Sequence, residues 1–233
     1  MDKKIGPATR DSYGKVLVEL GKENPNIVVL DADLATSTRT SGFAKEFPNR
    51  FWNVGICEQN LVGIAVGLAS EGKIPFISSF ACFLMCRGYD QIRIGVAYSE
   101  LNVKIVASHG GIITGEDGPT QQSIEDFALA LSLPKVVVLS PSDDVSAQSL
   151  VKSMANFQGP AYMRTIRAKL PLIYGEGSAT GKTPSFEIGK AIRIREGKVH
   201  IEGGYDGVFG KIHIYEDKER DKLFKKAEQS SLF

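Results

Sequence analysis

Four polar side chains, Asp33, Glu58, His109 and Arg167, each follow a short apolar run with the character of a strand. Residues just beyond the carboxyl ends of strands in an open parallel sheet face its ligand crevice, so these groups could meet at one cleft. Taken singly, Asp33 and Glu58 read more simply as helix caps or first-turn acids. Glu58 opens the apolar stretch LVGIAVGLA, where Gly63 and Gly67 would allow close packing against a neighbour. The helix dipole favours a charged carboxyl at such a start and burial opposes it, a balance suited to proton exchange. In PFISSFACF, Phe80 and Phe83 come directly after another apolar run. Two aromatic faces there could sandwich a flat ring, although core packing is the simpler use of such residues without a carboxylate nearby.

The segment SHGGIITGEDGPTQQ is polar, glycine-rich and long for a connection in a compact domain, which marks it as a binding loop. Its glycines permit backbone close to a ligand. His109 offers a cation or donor, Asp117 an acceptor and Gln121 an amide. Arg10, Ser37, His109 and Arg167 are residue types that hold a phosphate, although their places in the chain do not bring them together. The stretch GEGSATGKT fails as a nucleotide phosphate loop, because Glu176 stands where glycine is required and Pro184 follows. No G-x-G-x-x-G follows an apolar run and no H-E-x-x-H occurs, so nicotinamide and zinc-hydrolase chemistry have no support.

The elements that must position these residues are legible in the alternation of apolar runs with helix-like stretches. Strands are expected at 26–30, 51–54, 74–78, 103–108, 136–140 and 161–165, and helices at 11–22, 58–70, 83–98, 124–132 and 143–156. Continuous apolar character suits strands buried on both faces. The fold class is therefore α/β: an open, mainly parallel sheet with helices on both faces, plus a short C-terminal appendage. Residues 1–173 form one domain in this reading and 174–189 a Gly/Ser/Thr-rich linker. The tail 190–233, a hairpin followed by a charged helix at 217–229, is too short for a core of its own.

Composition narrows the partners. With 42% hydrophobic and 24% charged residues the chain is ordinary globular protein, and 28 Lys and Arg against 27 Asp and Glu leave no basic field for nucleic acid or anionic lipid. No apolar run approaches a membrane span and the N-terminus lacks a secretory core, so a cytoplasmic protein is expected. Three cysteines, Cys57, Cys82 and Cys86, suit neither a four-thiolate zinc site nor a disulfide framework; Cys82 and Cys86 could share one helical face, where inert buried thiols are a simpler reading than a redox pair.

The segments DADLATST, NVGICEQNLVGIAVGLA, SSFACFLMCRGYDQIR and ASHGGIITGEDGPTQQSIEDFAL resemble, in order and spacing, the pyrimidine-binding domain of transketolase, over roughly residues 5–175. The resemblance implies thiamine diphosphate as cofactor. It implies that Glu58 hydrogen-bonds the pyrimidine N1′, favouring the imino tautomer whose N4′ takes the thiazolium C2 proton. It further implies that Phe80 and Phe83 stack on the pyrimidine with Asp33 and Leu34 nearby. By the same resemblance Arg10, Ser37, His109 and Arg167 bind the sugar phosphate, and Asp117 and Gln121 contact sugar hydroxyls.

In that family an N-terminal domain holds the diphosphate through a divalent cation, Mg or Ca. The resemblance thus implies a partner, the N-terminal diphosphate-binding subunit of a split transketolase, together with self-association. SFEIGKAIRIREG is similar to the start of the family's third domain, after which VHIEGGYDGVFGKIHIYEDKERDKLF departs from it and is faintly similar to the ending of a PHP-type nuclease. Two other readings stay open: a truncated, non-catalytic paralogue that modulates a transketolase, and a component of another thiamine diphosphate enzyme.

Overall fold

The computed structural model describes residues 4–174, 200–202 and 211–213. The chain divides into two compact units, Met1–Ile188 and Gly189–Phe233. The strands of the first unit are β1 (Ile5–Ala8), β2 (Ile27–Asp31), β3 (Phe51–Asn53), β4 (Ile74–Phe80), β5 (Lys104–Ser108), β6 (Val137–Leu139), β7 (Ala161–Arg164) and β8 (Lys169–Pro171). Its α-helices are α1 (Thr9–Glu23), α2 (Ala35–Thr38), α3 (Ser41–Glu46), α4 (Glu58–Ser70), α5 (Ala81–Arg87), α6 (Tyr89–Gln91), α7 (Asp126–Ser132) and α8 (Asp144–Asn156).

Six strands form one sheet in the order β3-β2-β4-β5-β7-β6, every neighbouring pair parallel. Every residue of β2, β4 and β5 is buried, which requires cover on both faces. Alternation along the strands divides the core in two. Val29, Phe76, Val106 and Met163 pack with α1, α3 and α8, while Leu30, Ile77, Ile105 and Tyr162 pack with α4, α5, α7 and a π-helical turn at Ile92–Tyr98. The sheet is thus the α/β, helix-covered parallel sheet that the apolar runs indicate. Among the described residues no helix is long and apolar enough to cross a membrane.

Three local features depart from expectation. The helix expected at 83–98 is three pieces, because Gly88 closes α5 where a Cβ would stand 2.9 Å from the Leu84 carbonyl, and the chain continues through α6 into the π-helical turn. Gly63 and Gly67 face open space; close approach to α4 is made instead by Gly88 against Val62 and Gly95 against Val66. An unanticipated two-stranded ribbon pairs β1 antiparallel with β8. In the second unit β9 (His200–Glu202) pairs antiparallel with β10 (Lys211–His213). The expected linker beyond residue 174 and the helix at 217–229 lie outside the described residues.

Candidate active site

The chain leaves β2 for the edge strand β3 and returns to lay β4 on the other side of β2, so the sheet's order reverses between β2 and β4. The crevice at such a reversal opens at the carboxyl ends of the strands. Those ends carry Asp31, Phe80, Ser108 and Arg164, followed at once by Asp33, His109 and Arg167.

A continuous line of contacts joins most of the expected residues. Arg10 Nη1 donates to the Ser37 carbonyl at 3.0 Å and lies 3.3 Å from His109 Nε2. The His109 ring stacks on Phe80 at 4.0 Å, and Phe80 stacks on Phe83 at 5.5 Å. Arg87 lies over the Phe83 ring, 4.5 Å from its centre, and its Nη1 reaches Glu58 Oε2 at 3.2 Å. Ser79 Oγ donates to the other Glu58 oxygen at 3.1 Å. Glu58 is only 2% exposed although it is the first residue of α4, because β4 and α5 close over it.

The two phenylalanines do not form a gap for a flat ring. A ring between them would need about 7 Å, twice the van der Waals contact distance, and they already lie against each other at 5.5 Å. Phe83 is the ring that borders open space: a cavity of about 450 Å³ is lined by Phe83, Arg87, Gln121, Thr120, Glu125 and Cys86, among others.

His109 is held in a left-handed conformation, φ 57°, and is 3% exposed. Arg10 has only hydrogens to give, so Nε2 accepts from it and Nδ1 carries the proton, donating to Ser108 Oγ at 2.8 Å. Burial pushes the imidazole down to about 4, with the Arg10, Arg167 and Arg39 charges acting in the same direction against Asp117. His109 is therefore neutral at ordinary pH, which removes the cation alternative and leaves a hydrogen-bonding group. Arg10 is lowered too, first by burial and then by Arg39, and its Nε is buried without a partner.

Arg167 is engaged by acidic neighbours, Nη2 with Glu116 and Nη1 with Asp117 at 3.3 Å. The Glu116 hydrogen bond and charge raise its pKa. Gln121 borders the cavity and its Oε1 accepts from Thr120. Asp33 stands apart from this line: exposed at φ 64°, it exchanges hydrogen bonds with Asn53 and caps no helix. The inward-turned acid is instead buried Asp31, which accepts from Leu34 N at 2.6 Å and from the Thr38 and Thr40 hydroxyls at 2.7 and 2.8 Å. Leu34 is fixed by its backbone, half-buried at the head of α2.

Ser79, Arg87 and Glu125 escaped the sequence reading. Ser79 and Arg87 had a usable signal, the alternation of β4 and the turn of helix that follows it; Glu125 had none. Cys82 is buried as expected, but Cys86 is exposed beside Glu125, at 3.2 Å, and burial and that carboxylate push its thiol up to about 11.

Residues 6–172 match the family profile of the transketolase pyrimidine-binding domain. The chain belongs to this family. It is 48% identical over 195 residues to a putative transketolase C-terminal section of Methanocaldococcus jannaschii, covering 83% of this chain and 58% of that one. Human transketolase is 40% identical over 192 residues, 82% of this chain and 30% of the human protein. Among solved structures, a split gene transketolase described as an inactive beta4 tetramer aligns with TM-score 0.68 at 48% identity, covering 79% of this chain and 58% of that one. Transketolase from Campylobacter jejuni aligns with TM-score 0.67 at 27% identity, over 75% of this chain and 28% of that one. The chain thus spans little more than half of the split transketolase relatives and under a third of the human and Campylobacter jejuni transketolases.

Proposed function

We propose that this chain is the pyrimidine-binding subunit of a split transketolase, transferring two-carbon ketol units between phosphosugars once a diphosphate-binding subunit joins it. The observation that carries the reading is the buried Glu58 carboxylate, bonded to Arg87, whose guanidinium lies over Phe83 and lines with it a cavity that also presents the Gln121 amide. An acceptor for a ring N–H, an aromatic face and an amide fit the aminopyrimidine part of thiamine diphosphate. When bound, that cofactor supplies the carbanion and the electron sink of ketol transfer.

Each residue then has a task. Glu58, oriented by Ser79 and Arg87, accepts a hydrogen bond at the pyrimidine N1′ and exchanges a proton there. Phe83, backed by Phe80, provides the stacking surface, while Asp33 and Leu34 border the same ring. Arg10, Arg167 and the Ser37 turn bind the sugar phosphate, with His109 holding Arg10 in place through Nε2, and Asp117 and Gln121 orient the hydroxyls. Arg167 must exchange its carboxylate partners for the phosphate. Among the described residues no group of three or more His, Cys, Asp or Glu is placed to hold a divalent cation. Its ligands are assigned to the partner, and no step here depends on it. The similarity to a split gene transketolase described as an inactive beta4 tetramer supports both self-association and inactivity of the lone chain. The cytoplasm and the pentose phosphate pathway are the corresponding setting.

The test is reconstitution. The purified chain alone should bind thiamine diphosphate weakly and transfer no ketol unit, and mixing with a diphosphate-binding transketolase section should create both properties. Full activity from the lone chain, or none from the mixture, would overturn the proposal.

A further inference from the structure

Beneath the loop from His109 to Ser123 lies a buried charged cluster that the reading above does not use. Asp126, 0% exposed at the head of α7, accepts two parallel bonds from Arg164, from Nε at 2.9 Å and Nη2 at 2.6 Å. It accepts a third from the Tyr162 hydroxyl at 2.5 Å. The Arg164 guanidinium also lies over Phe127, 3.8 Å from the ring centre. Its rotamer is therefore fixed from several sides. Stability alone does not explain the cluster, because a buried ion pair often contributes no more than apolar residues of the same volume.

Geometrically, the cluster carries the loop. A Cβ on Gly110 would stand 2.5 Å from Arg164 Nε, and one on Gly111 would stand 3.3 Å from Nη1, so the backbone rests on the guanidinium arm at a closeness only glycine permits. The far end of the loop returns to the same place, where Gly111 N donates to the Ser123 carbonyl at 2.6 Å and Gly110 bridges Ser123. Between these fixed ends stand Asp117 and Gln121, and His109 immediately precedes them.

We propose that Arg164 is a positioning residue for sugar recognition: held by Asp126, Tyr162 and Phe127, it is the platform that sets where Asp117 and Gln121 meet the substrate and where His109 meets Arg10. This rests on the reading that the loop contacts the phosphosugar. Arg164 itself touches no substrate. Its effect passes through the loop backbone.

Two variants disturb the platform differently. Arg164→Lys keeps a positive charge beside Asp126 but loses the fork and the flat surface. Gly110→Ala leaves the ion pair in place and forces the loop off it, so it decides the matter if Arg164→Lys fails to fold. The first readout is His109 titration by NMR in the full chain, without cofactor or substrate. The wild-type ring titrates near its depressed value of about 4. A displaced loop admits water, and with Arg10, Arg39, Arg167 and Asp117 still facing the ring, its midpoint should rise by about one unit or more. The second readout is the reconstituted complex, where KM for the phosphosugar should rise about tenfold or more while cofactor affinity stays within about twofold. Unchanged His109 titration and unchanged KM in both variants would overturn the proposal. Asp117→Ala and Gln121→Ala separate the two readings. If both leave KM unchanged, the loop does not meet the sugar, and the His109 titration alone then decides whether Arg164 positions it.

Discussion

Arg87 and Glu58 meet through Nη1 and Oε2 at 3.2 Å, and the same guanidinium lies over Phe83. One partner is half-exposed, at 52%, and the other only 2%, so the carboxylate is anchored inside and steered from the rim. A carboxylate has room for about four hydrogen bonds, and Ser79 and Arg87 take one each, which leaves acceptor capacity for a ring N–H.

Glu58→Gln keeps the shape and the bond from Ser79 while removing the exchangeable charge. In the reconstituted complex, proton exchange at the cofactor's C2 should fall by about 10²–10⁴-fold, the usual contribution of a positioned acid or base. The fold and the assembly should survive, because the amide still offers an oxygen to Ser79. Wild-type exchange in this variant would take Glu58 out of the mechanism.

Arg167 lies between Glu116, whose side chain is 77% exposed, and Asp117. Exposed ion pairs contribute about 0–1 kcal/mol, whereas a charge-assisted bond to phosphate contributes about 1.5–3 kcal/mol, so phosphate should displace Glu116 readily. Arg167→Ala should therefore cut kcat/KM for phosphorylated donors by about ten- to a hundredfold and for unphosphorylated donors much less. Glu116→Gln, removing only the competitor, should lower KM for phosphorylated donors by no more than about fivefold. Equal losses for both donor classes in Arg167→Ala would remove that residue from phosphate binding.

The strands of the sheet were legible because burial on both faces leaves an unbroken apolar run, as in IVVL of β2 and the IPFI of β4. The post-strand polar residues were legible for the related reason that a parallel sheet presents its ligands at one edge. What stayed hidden depends on contacts between distant positions. Neither IGPA nor KLP looks like a strand until β1 and β8 are side by side. DADL does not say which aspartate turns inward; the buried Thr38 and Thr40 hydroxyls select Asp31 and leave Asp33 outside. Gly63 and Gly67 meet no neighbour within this chain, because small residues on a helix mark close packing only where another element lies against them.

The pH response of stability reports on His109. Its folded value, about 4, lies below the ordinary 6.5 of an unfolded histidine, so between those values the unfolded chain binds more protons. Stability contributed by the neutral ring is present above about pH 6.5 and is lost as pH falls toward 4, at a limiting slope of about 1.4 kcal/mol per pH unit. His109→Asn should flatten this part of the profile in denaturant titrations. A profile identical to wild type would mean that the ring is solvated in the folded chain.

Lys104, at the amino end of β5, gives a second window of the same sign at higher pH. It is 0% exposed, and its Nζ donates to the Phe157 and Gly159 carbonyls at 2.6 and 2.7 Å, with Phe157 also beneath it at 5.2 Å. A neutral amine has two N–H donors, enough for these two acceptors, and burial lowers its pKa from 10.5 to about 7. Between those values the unfolded chain holds the extra proton, so stability should rise as pH is raised above 7, again by at most about 1.4 kcal/mol per unit. The comparison is clean only up to about pH 8.5, because Cys82 and Cys86 are both raised above the ordinary thiol value and begin to oppose the trend near 9. Lys104→Met removes the slope and leaves two carbonyls without their donor, at a cost of about 1–3 kcal/mol for each. Urea denaturation of both proteins at pH 7 and about pH 8.5 measures both effects. A wild-type midpoint that fell over this interval, or a methionine variant as stable as wild type, would show that Lys104 is charged in the fold and that the turn at 157–159 holds itself.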